Sequence, residues 1–132
     1  YFKLVAQSAR SVLFDTIGHT DLVKKFGHRV NAASSAVCEA EDQMLKAVKE
    51  SDTALEISSA GLRKPVAEIY PHPRIVKKAS ELQIPFTYGS DAHSPAEVGH
   101  GMQDCLSLLR RCGGNEISSF NKRERSMSSF IK

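Results

Sequence analysis

Short apolar runs alternate with helical segments along most of this 132-residue chain. Three of these runs, at 12–17, 54–57 and 84–88, are each followed by small and polar residues. Strands that alternate with helices predict a parallel sheet, since a helix is the usual connection between parallel strands. The carboxyl ends of parallel strands lie at one edge of the sheet, where α/β folds bind ligands. We therefore expect three polar clusters to meet at one mouth.

Periodicity and turn signals predict the individual elements of this α/β fold. Helices are expected over 1–10, near 21–26, and over 36–50, 72–82 and 95–111. Strands are expected over 12–18, 54–58, 85–89 and 116–120. The chain is predicted to be one domain, 1–132, with about three to four strand–helix units.

Composition excludes several classes of function. The chain is 41% hydrophobic and 25% charged, as is usual for a globular protein, and it lacks the ~18-residue apolar run of a membrane span and a signal-peptide pattern. We therefore expect a cytoplasmic protein with no membrane partner. A net charge of +3 with scattered basic residues does not indicate nucleic-acid binding. The basic run Lys122–Arg125 is interpreted as a solvated terminus.

The segment Gly89–Ser94 carries the strongest chemical signal. It places Asp91 and His93 two residues apart after an apolar run, and residues i and i+2 of an extended strand end point to the same side. Carboxylate oxygen and imidazole nitrogen are ligands that suit zinc, manganese or iron. The alternative interpretation is an Asp that caps the following helix beside a surface His.

A related pattern follows the first apolar run, where Gly18 precedes His19 and Asp21. His19 is a second predicted metal ligand, and the alternative is a histidine whose hydrogen bonds are satisfied within a turn. Asp21 is predicted to orient the imidazole of His19 or to receive a proton. A helix N-cap is the competing interpretation of Asp21.

Three ordered segments, 14–26, 54–65 and 89–94, resemble the C-terminal half of histidinol-phosphate phosphatases of the polymerase-and-histidinol-phosphatase (PHP) superfamily. The resemblance implies a partial, distorted (β/α)7 TIM-like barrel whose N-terminal half is absent here. It also implies a cluster of up to three divalent metal ions, Zn, Mn or Fe. The implied reaction converts L-histidinol phosphate to L-histidinol and phosphate in histidine biosynthesis.

Residue roles follow from the same resemblance. His19, Asp91 and His93 match metal ligands of the family, and Arg63 matches an arginine that holds the substrate phosphate. Where the family reads Glu-Ile-Asn-Thr, this chain has a serine pair at 58–59. The family's N-terminal His-x-His motif, a further pair of histidines and a bridging Glu are not among these 132 residues. The expected partner is therefore the N-terminal half of the barrel or a second chain.

These side chains suit phosphate-ester hydrolysis on chemical grounds as well. Divalent cations shield a nucleophile that approaches a dianion, and they lower the pKa of bound water. Asp21, Asp91 and His93 are the predicted catalytic residues. The planar guanidinium of Arg63 offers two parallel donors to phosphate oxygens. Its alternative interpretation is an ordinary basic surface loop.

Two further residues are predicted to touch the substrate. Glu56, inside the second apolar run, would neutralise a cationic group or support the metal ligands, and a buried Glu with a structural partner is the alternative. His72 stands between two prolines near the same mouth. Two other functions remain open: a phosphoesterase of different specificity within the superfamily, or a non-catalytic half-barrel that needs a partner chain.

Overall fold

A computed structural model describes residues 1–29, 31 and 34–130 of the chain. The α-helices are α1 (Phe2–Arg10), α2 (Ser35–Glu50), α3 (Pro73–Glu81) and α4 (Met102–Arg111). The strands are β1 (Thr16–Ile17), β2 (Ala54–Ser58), β3 (Phe86–Gly89), β4 (Glu116–Asn121) and β5 (Glu124–Ser129). Three short 3-10 helices span Leu22–Lys24, Ser59–Arg63 and Pro95–Glu97.

Strands β1, β2 and β3 form a parallel sheet in that order. Leu55 of β2 lies opposite both Ile17 and Phe86, so the three strands run in register from one edge of the sheet to the other. This arrangement confirms the predicted α/β class and the parallel sheet. It also places the segments that follow β1, β2 and β3 at the same edge, as the alternation of elements requires.

The core lies where the helices cover the sheet. Helix α2 contributes a fully buried stripe that includes Met44, Leu45 and Val48, and α3 contributes Ile75 and Val76. Together with Ala79 of α3, which is also buried, these residues recur three and four positions apart within each helix, which puts them on one face. No helix in the described ranges is long and apolar enough to cross a bilayer.

The C-terminal region differs from its prediction. The expected single strand 116–120 is the first arm of an antiparallel hairpin, β4–β5, and the second arm is exposed at every position. The run Lys122–Arg125, predicted to be a solvated terminus, forms the hairpin turn and its return. Arg123 pairs with Asp15, and Arg125 with Asp52, at 3.1 and 2.7 Å. All four residues of the run are exposed, in agreement with the predicted solvation, but the hairpin itself was not expected, because its ion pairs join residues distant in sequence.

Two other predicted elements are shorter in the structure. The strand expected over 12–18 pairs only at Thr16–Ile17, and the backbone at Val12, with a φ of +55°, lies outside the extended region. The helix expected over 95–111 is interrupted after Pro95–Glu97. Gly101, with a φ of +69°, precedes the start of α4, and a helix cannot continue through that conformation.

Candidate active site

Glu56 of β2 lies at the centre of the carboxyl edge of the sheet. Gly18 and Gly89, which end the neighbouring strands, flank its carboxylate. A Cβ atom at position 89 would lie 1.9 Å from Glu56 Oε1, and one at position 18 would lie 3.2 Å from Oε2. The two glycines therefore leave the space that the carboxylate occupies.

His19 follows β1 and Asp91 follows β3, the two outer strands of the sheet, and their side chains lie close together. Nε2 of His19 lies 3.7 Å from Oδ2 of Asp91, a separation longer than a hydrogen bond. Both residues adopt left-handed backbone conformations, with φ values of +51° and +49°. Such conformations cost non-glycine residues about 1–3 kcal/mol and persist only where surrounding contacts hold them.

Glu56 holds His19 in place. Oε2 accepts a hydrogen bond from the backbone N of His19 at 3.3 Å. The same oxygen lies 3.2 Å from His19 Nδ1, although the pair lacks the alignment of a hydrogen bond. The Nδ1 side of the His19 ring therefore faces Glu56, and the Nε2 side faces Asp91. Glu56 therefore contacts a predicted metal ligand in this structure.

His93 lies in an exposed turn beyond β3. The backbone turns at Asp91, so residues 91 and 93 do not continue the strand in the way that the sequence analysis expected. Nδ1 of His93 lies 2.8 Å from the carbonyl oxygen of Asp91. Because a carbonyl only accepts, this contact places the ring proton on Nδ1 and leaves Nε2 available to a ligand.

Arg63 binds the backbone of the same turn. Its Nη2 donates to the carbonyl oxygens of Ser90 and Asp91, at 2.7 and 3.0 Å. The other terminal nitrogen, Nη1, is buried and has no hydrogen-bond partner within the described part of the chain. The guanidinium that is predicted to hold phosphate thus has one terminal nitrogen hydrogen-bonded to the backbone and one without a hydrogen-bond partner among the described residues.

Asp21 belongs to a separate, buried cluster centred on Lys24, which we call the Lys24 cluster. Asp21 Oδ2 lies 2.9 Å from Lys24 Nζ and accepts a hydrogen bond from His72 N at 2.8 Å. Lys24 also lies 3.3 Å from Glu68 and donates to the carbonyl oxygen of Ile69. Burial raises the pKa of Asp21, and the charge and hydrogen bond of Lys24 oppose that rise.

The Asp21 side chain does not cap the 3-10 helix that follows it, which was the competing interpretation. Its carboxylate instead fixes the backbone at the start of α3. His72 is the N-cap of that helix, and its Nδ1 accepts a hydrogen bond from Arg74 N at 3.2 Å. Burial lowers the pKa of His72, with smaller contributions from Lys24 and Arg74. A cavity of about 120 Å³ opens beside His72, Asp21 and Lys24.

Tyr70 connects the two groups of side chains. Its ring lies 5.8 Å from the ring of His19, edge to face, and Lys24 Nζ lies 5.4 Å from its centroid. Tyr70 is fully buried, and its hydroxyl has no hydrogen-bond partner among the described residues. Burial raises the pKa of this hydroxyl, and the charges of Asp21 and Asp91 raise it further.

The donor set fits a divalent metal ion in part. Two ligands that each lie about 2.1 Å from one tetrahedral ion are about 3.4 Å apart, and His19 Nε2 and Asp91 Oδ2 are separated by 3.7 Å. Both histidines also have Nδ1 beside an acceptor, as is usual for metal-binding imidazoles. Within the described ranges, however, no three His, Cys, Asp or Glu side chains converge on one point.

Sequence reasoning missed three residues that shape this region: Lys24, Tyr70 and Glu97. Lys24 follows Asp21 by three positions, and an i,i+3 acid–base pair is a recognisable signal on a helix. Nothing in the sequence indicates that this lysine is buried. Glu97 accepts a hydrogen bond from His93 N at 2.8 Å, and that hydrogen bond lowers its pKa, with a further contribution from Arg63.

Comparison with known proteins supports the resemblance carried by the motifs. A family model described as PHP-associated matches residues 71–103. A Deinococcus radiodurans protein named a probable histidinol-phosphatase is 46% identical over 89% of this chain, and the match covers 44% of that protein. The Bacillus subtilis histidinol-phosphatase is 32% identical over 73% of this chain and 35% of its own length.

A solved structure agrees with these matches. A Listeria monocytogenes protein named a candidate histidinol phosphatase superposes with a TM-score of 0.67 and 35% sequence identity. The match covers 78% of this chain and 43% of that one. The chain therefore resembles the C-terminal part of proteins named histidinol-phosphatases. It spans less than half the length of the curated relatives it matches.

Proposed function

We propose that this chain is the C-terminal portion of a metal-dependent phosphomonoester hydrolase that converts L-histidinol phosphate to L-histidinol and phosphate in histidine biosynthesis. The observation that carries the proposal is the position of the His19 ring at the carboxyl edge of the parallel sheet, with Glu56 Oε2 3.2 Å from its Nδ1 and Asp91 Oδ2 3.7 Å from its Nε2. The 46% identity to a protein named a probable histidinol-phosphatase supports the choice of substrate.

The proposed architecture is part of a distorted (β/α)7 barrel. The described sheet has three parallel strands, and β1 lies at one end of the strand order. Beside it, Leu13 and Phe14 are 69% and 52% exposed. An edge strand flanked by exposed apolar side chains favours pairing with a further strand. In this proposal an N-terminal half of the barrel, or a second chain, supplies that strand and the remaining metal ligands.

His19, Asp91 and His93 would hold the metal, and Glu56 keeps the His19 ring oriented. A divalent ion bound there supplies charge neutralisation and a bound water of lowered pKa. Arg63 would offer the permanent charge of its guanidinium to the substrate phosphate while Nη2 retains the turn at Ser90 and Asp91.

Asp21 and His72 would act beside this centre. The contacts of Asp21 go to Lys24 and to the backbone of His72, so its proposed role is to position the segment that leads into α3. That role replaces the earlier suggestion that Asp21 orients the His19 ring, because the carboxylate beside that ring is Glu56. His72 borders a cavity and is the proposed contact for the organic part of the substrate.

A chimera tests the proposal directly. This chain would replace the matching segment of the Deinococcus radiodurans relative, and phosphate release from L-histidinol phosphate would be measured with Mn²⁺ present. We expect activity in the chimera, and a loss of about 100-fold or more in Asp91→Asn and His93→Asn because each removes a metal ligand. Their melting temperatures should change by less than about 2 °C, since both side chains are exposed.

The unmodified relative provides the control for the assay. A folded chimera that binds Mn²⁺ and hydrolyses other phosphate monoesters in preference to histidinol phosphate would favour a phosphoesterase of different specificity. A folded chimera that releases no phosphate from any ester, beside an active parent, would overturn the enzymatic function and favour a non-catalytic half-barrel. Full activity in Asp91→Asn would refute the metal assignment.

A further inference from the structure

We propose that Glu97 is a positioning residue that, together with Arg63, fixes the turn carrying Asp91 and His93, so that the turn is shaped for metal before metal binds. This inference rests on the proposed function of the same site. Glu97 lies outside the segments whose motifs indicate metal or phosphate binding.

One carboxylate oxygen connects the two sides of the turn. Glu97 Oε2 accepts a hydrogen bond from His93 N at 2.8 Å and lies 3.6 Å from Arg63 Nη2. That guanidinium nitrogen in turn donates to the carbonyl oxygens of Ser90 and Asp91. The backbone on both sides of residue 92 is therefore held by hydrogen bonds to two neighbouring side chains, Arg63 and Glu97.

The turn needs such support because its backbone is strained. Asp91 has a φ of +49°, a conformation that costs a non-glycine residue about 1–3 kcal/mol unless its surroundings hold it. Asp is tolerated there better than bulky residues. The carbonyl of Asp91 also receives the contact from His93 Nδ1. Asp91 and His93, the residues that would face a cation, are thus held by three contacts: the hydrogen bond from Arg63, the hydrogen bond to Glu97 and the contact of His93 with Asp91.

The far end of the same segment is attached independently. Ser59 and Tyr88 both donate hydrogen bonds to the carbonyl oxygen of His100, the latter at 2.8 Å. A Cβ atom at Gly101 would lie 2.8 Å from the Cβ of Ser59, so the segment packs closely against the 3-10 helix that follows β2. Loss of Glu97 is therefore expected to loosen residues 90–93 while the segment as a whole stays attached.

The test compares two substitutions in this chain and in the chimera. Glu97→Ala removes both contacts, whereas Glu97→Gln keeps an oxygen that accepts from His93 N and loses only the charge. Glu81→Ala is the matched control, because Glu81 is an exposed glutamate on α3 that pairs at 3.9 Å with Lys77. Affinity for Mn²⁺ is measured by calorimetry, and exchange of the His93 amide hydrogen is measured by NMR.

We expect Glu97→Ala to weaken Mn²⁺ binding by about 10-fold or more, in the range found when residues that support metal ligands are lost. Amide exchange at His93 should accelerate in the same variant. Glu97→Gln should remain within about threefold of the parent in Mn²⁺ affinity, because the hydrogen bond to the backbone is retained. Glu81→Ala should match the parent in both measurements.

Equal Mn²⁺ affinity in Glu97→Ala and Glu81→Ala would overturn the inference. So would a loss in Glu97→Ala that Glu97→Gln fails to restore, because the hydrogen bond to His93 would then not be the contact that matters. A chimera that binds Mn²⁺ and releases no phosphate overturns the proposed function alone. A chimera that binds no Mn²⁺ overturns the positioning role together with the metal assignments.

Discussion

The Lys24 cluster is buried and paired by charge, whereas the turn beyond β3 is more exposed and held by contacts to backbone atoms. The side chains of Lys24 and Asp21 are 6% and 5% exposed. Those of Asp91 and Glu97 are 37% and 31% exposed. Both groups follow strands of one sheet, and they reach adjoining positions at its carboxyl edge.

This difference in burial predicts which residues contribute to stability and which contribute to metal binding and activity. A buried ion pair that loses one partner leaves an uncompensated charge, and such losses are strongly destabilising. Exposed ion pairs contribute little to stability because water screens them. We therefore expect substitutions at Lys24 to act on folding, and substitutions in the turn at 90–97 to act on metal binding and activity.

Lys24→Met should produce the largest loss of stability. The substitution leaves Asp21 buried beside Glu68 without the cation that both contact. The free energy of unfolding should fall by about 3–5 kcal/mol, measured by urea denaturation of this chain. Lys46→Met is the control, because Lys46 is 73% exposed. A loss below about 1 kcal/mol would show that the cluster is not the stabilising region that the comparison requires.

His72→Asn tests how the buried histidine beside the Lys24 cluster affects the pH dependence of stability. Because the folded-state pKa of His72 is lowered, chiefly by burial, its neutral form stabilises the fold above the unfolded pKa of about 6.5. That contribution is lost as pH falls below this value and the unfolded chain takes up the proton first. Asparagine can also serve as an N-cap. The variant should therefore lose less stability than the parent between about pH 7 and 5 in parallel thermal unfolding series.

Identical pH dependence in the parent and in His72→Asn would contradict this prediction. His28→Asn serves as a second reference, since His28 is exposed.

Arg123→Gln should have the smallest effect. Arg123 pairs with Asp15 through three hydrogen bonds, but its side chain is 63% exposed. We expect the free energy of unfolding to fall by about 1 kcal/mol or less, as measured by denaturation in low salt and in 1 M salt. A loss as large as that of Lys24→Met would remove the distinction between buried and exposed pairs.

Sequence periodicity was sufficient to predict the elements that bury the same face along their whole length. Helix α2 was expected over 36–50 and spans Ser35–Glu50, because its apolar residues recur at helical spacing. Strand β5 was missed, because all six of its residues are exposed and show no alternation. The short β1 was overestimated, because apolar residues at 12–14 remain exposed beside the sheet edge.

The candidate site likewise has features that the sequence predicted and features that it did not predict. The glycine, histidine and aspartate patterns indicated His19 and Asp91, and the structure places their side chains 3.7 Å apart. Support of the metal ligands was one of the roles predicted for Glu56, whereas the burial of Lys24 and the link from Glu97 to Arg63 were not predicted. Each joins residues from different strand–helix units, and no local spacing encodes such a contact.

The sequence by itself determined the order of strands and helices and the residue types at the strand ends, because periodicity, glycine and proline act over a few neighbouring positions. The tertiary structure decided which of those residues meet, which charges are buried and which backbone positions are held in left-handed conformations. These outcomes depend on packing between segments that are far apart in the chain. Arg63 illustrates the point, since only the folded turn at Ser90 and Asp91 gives its Nη2 two carbonyl acceptors.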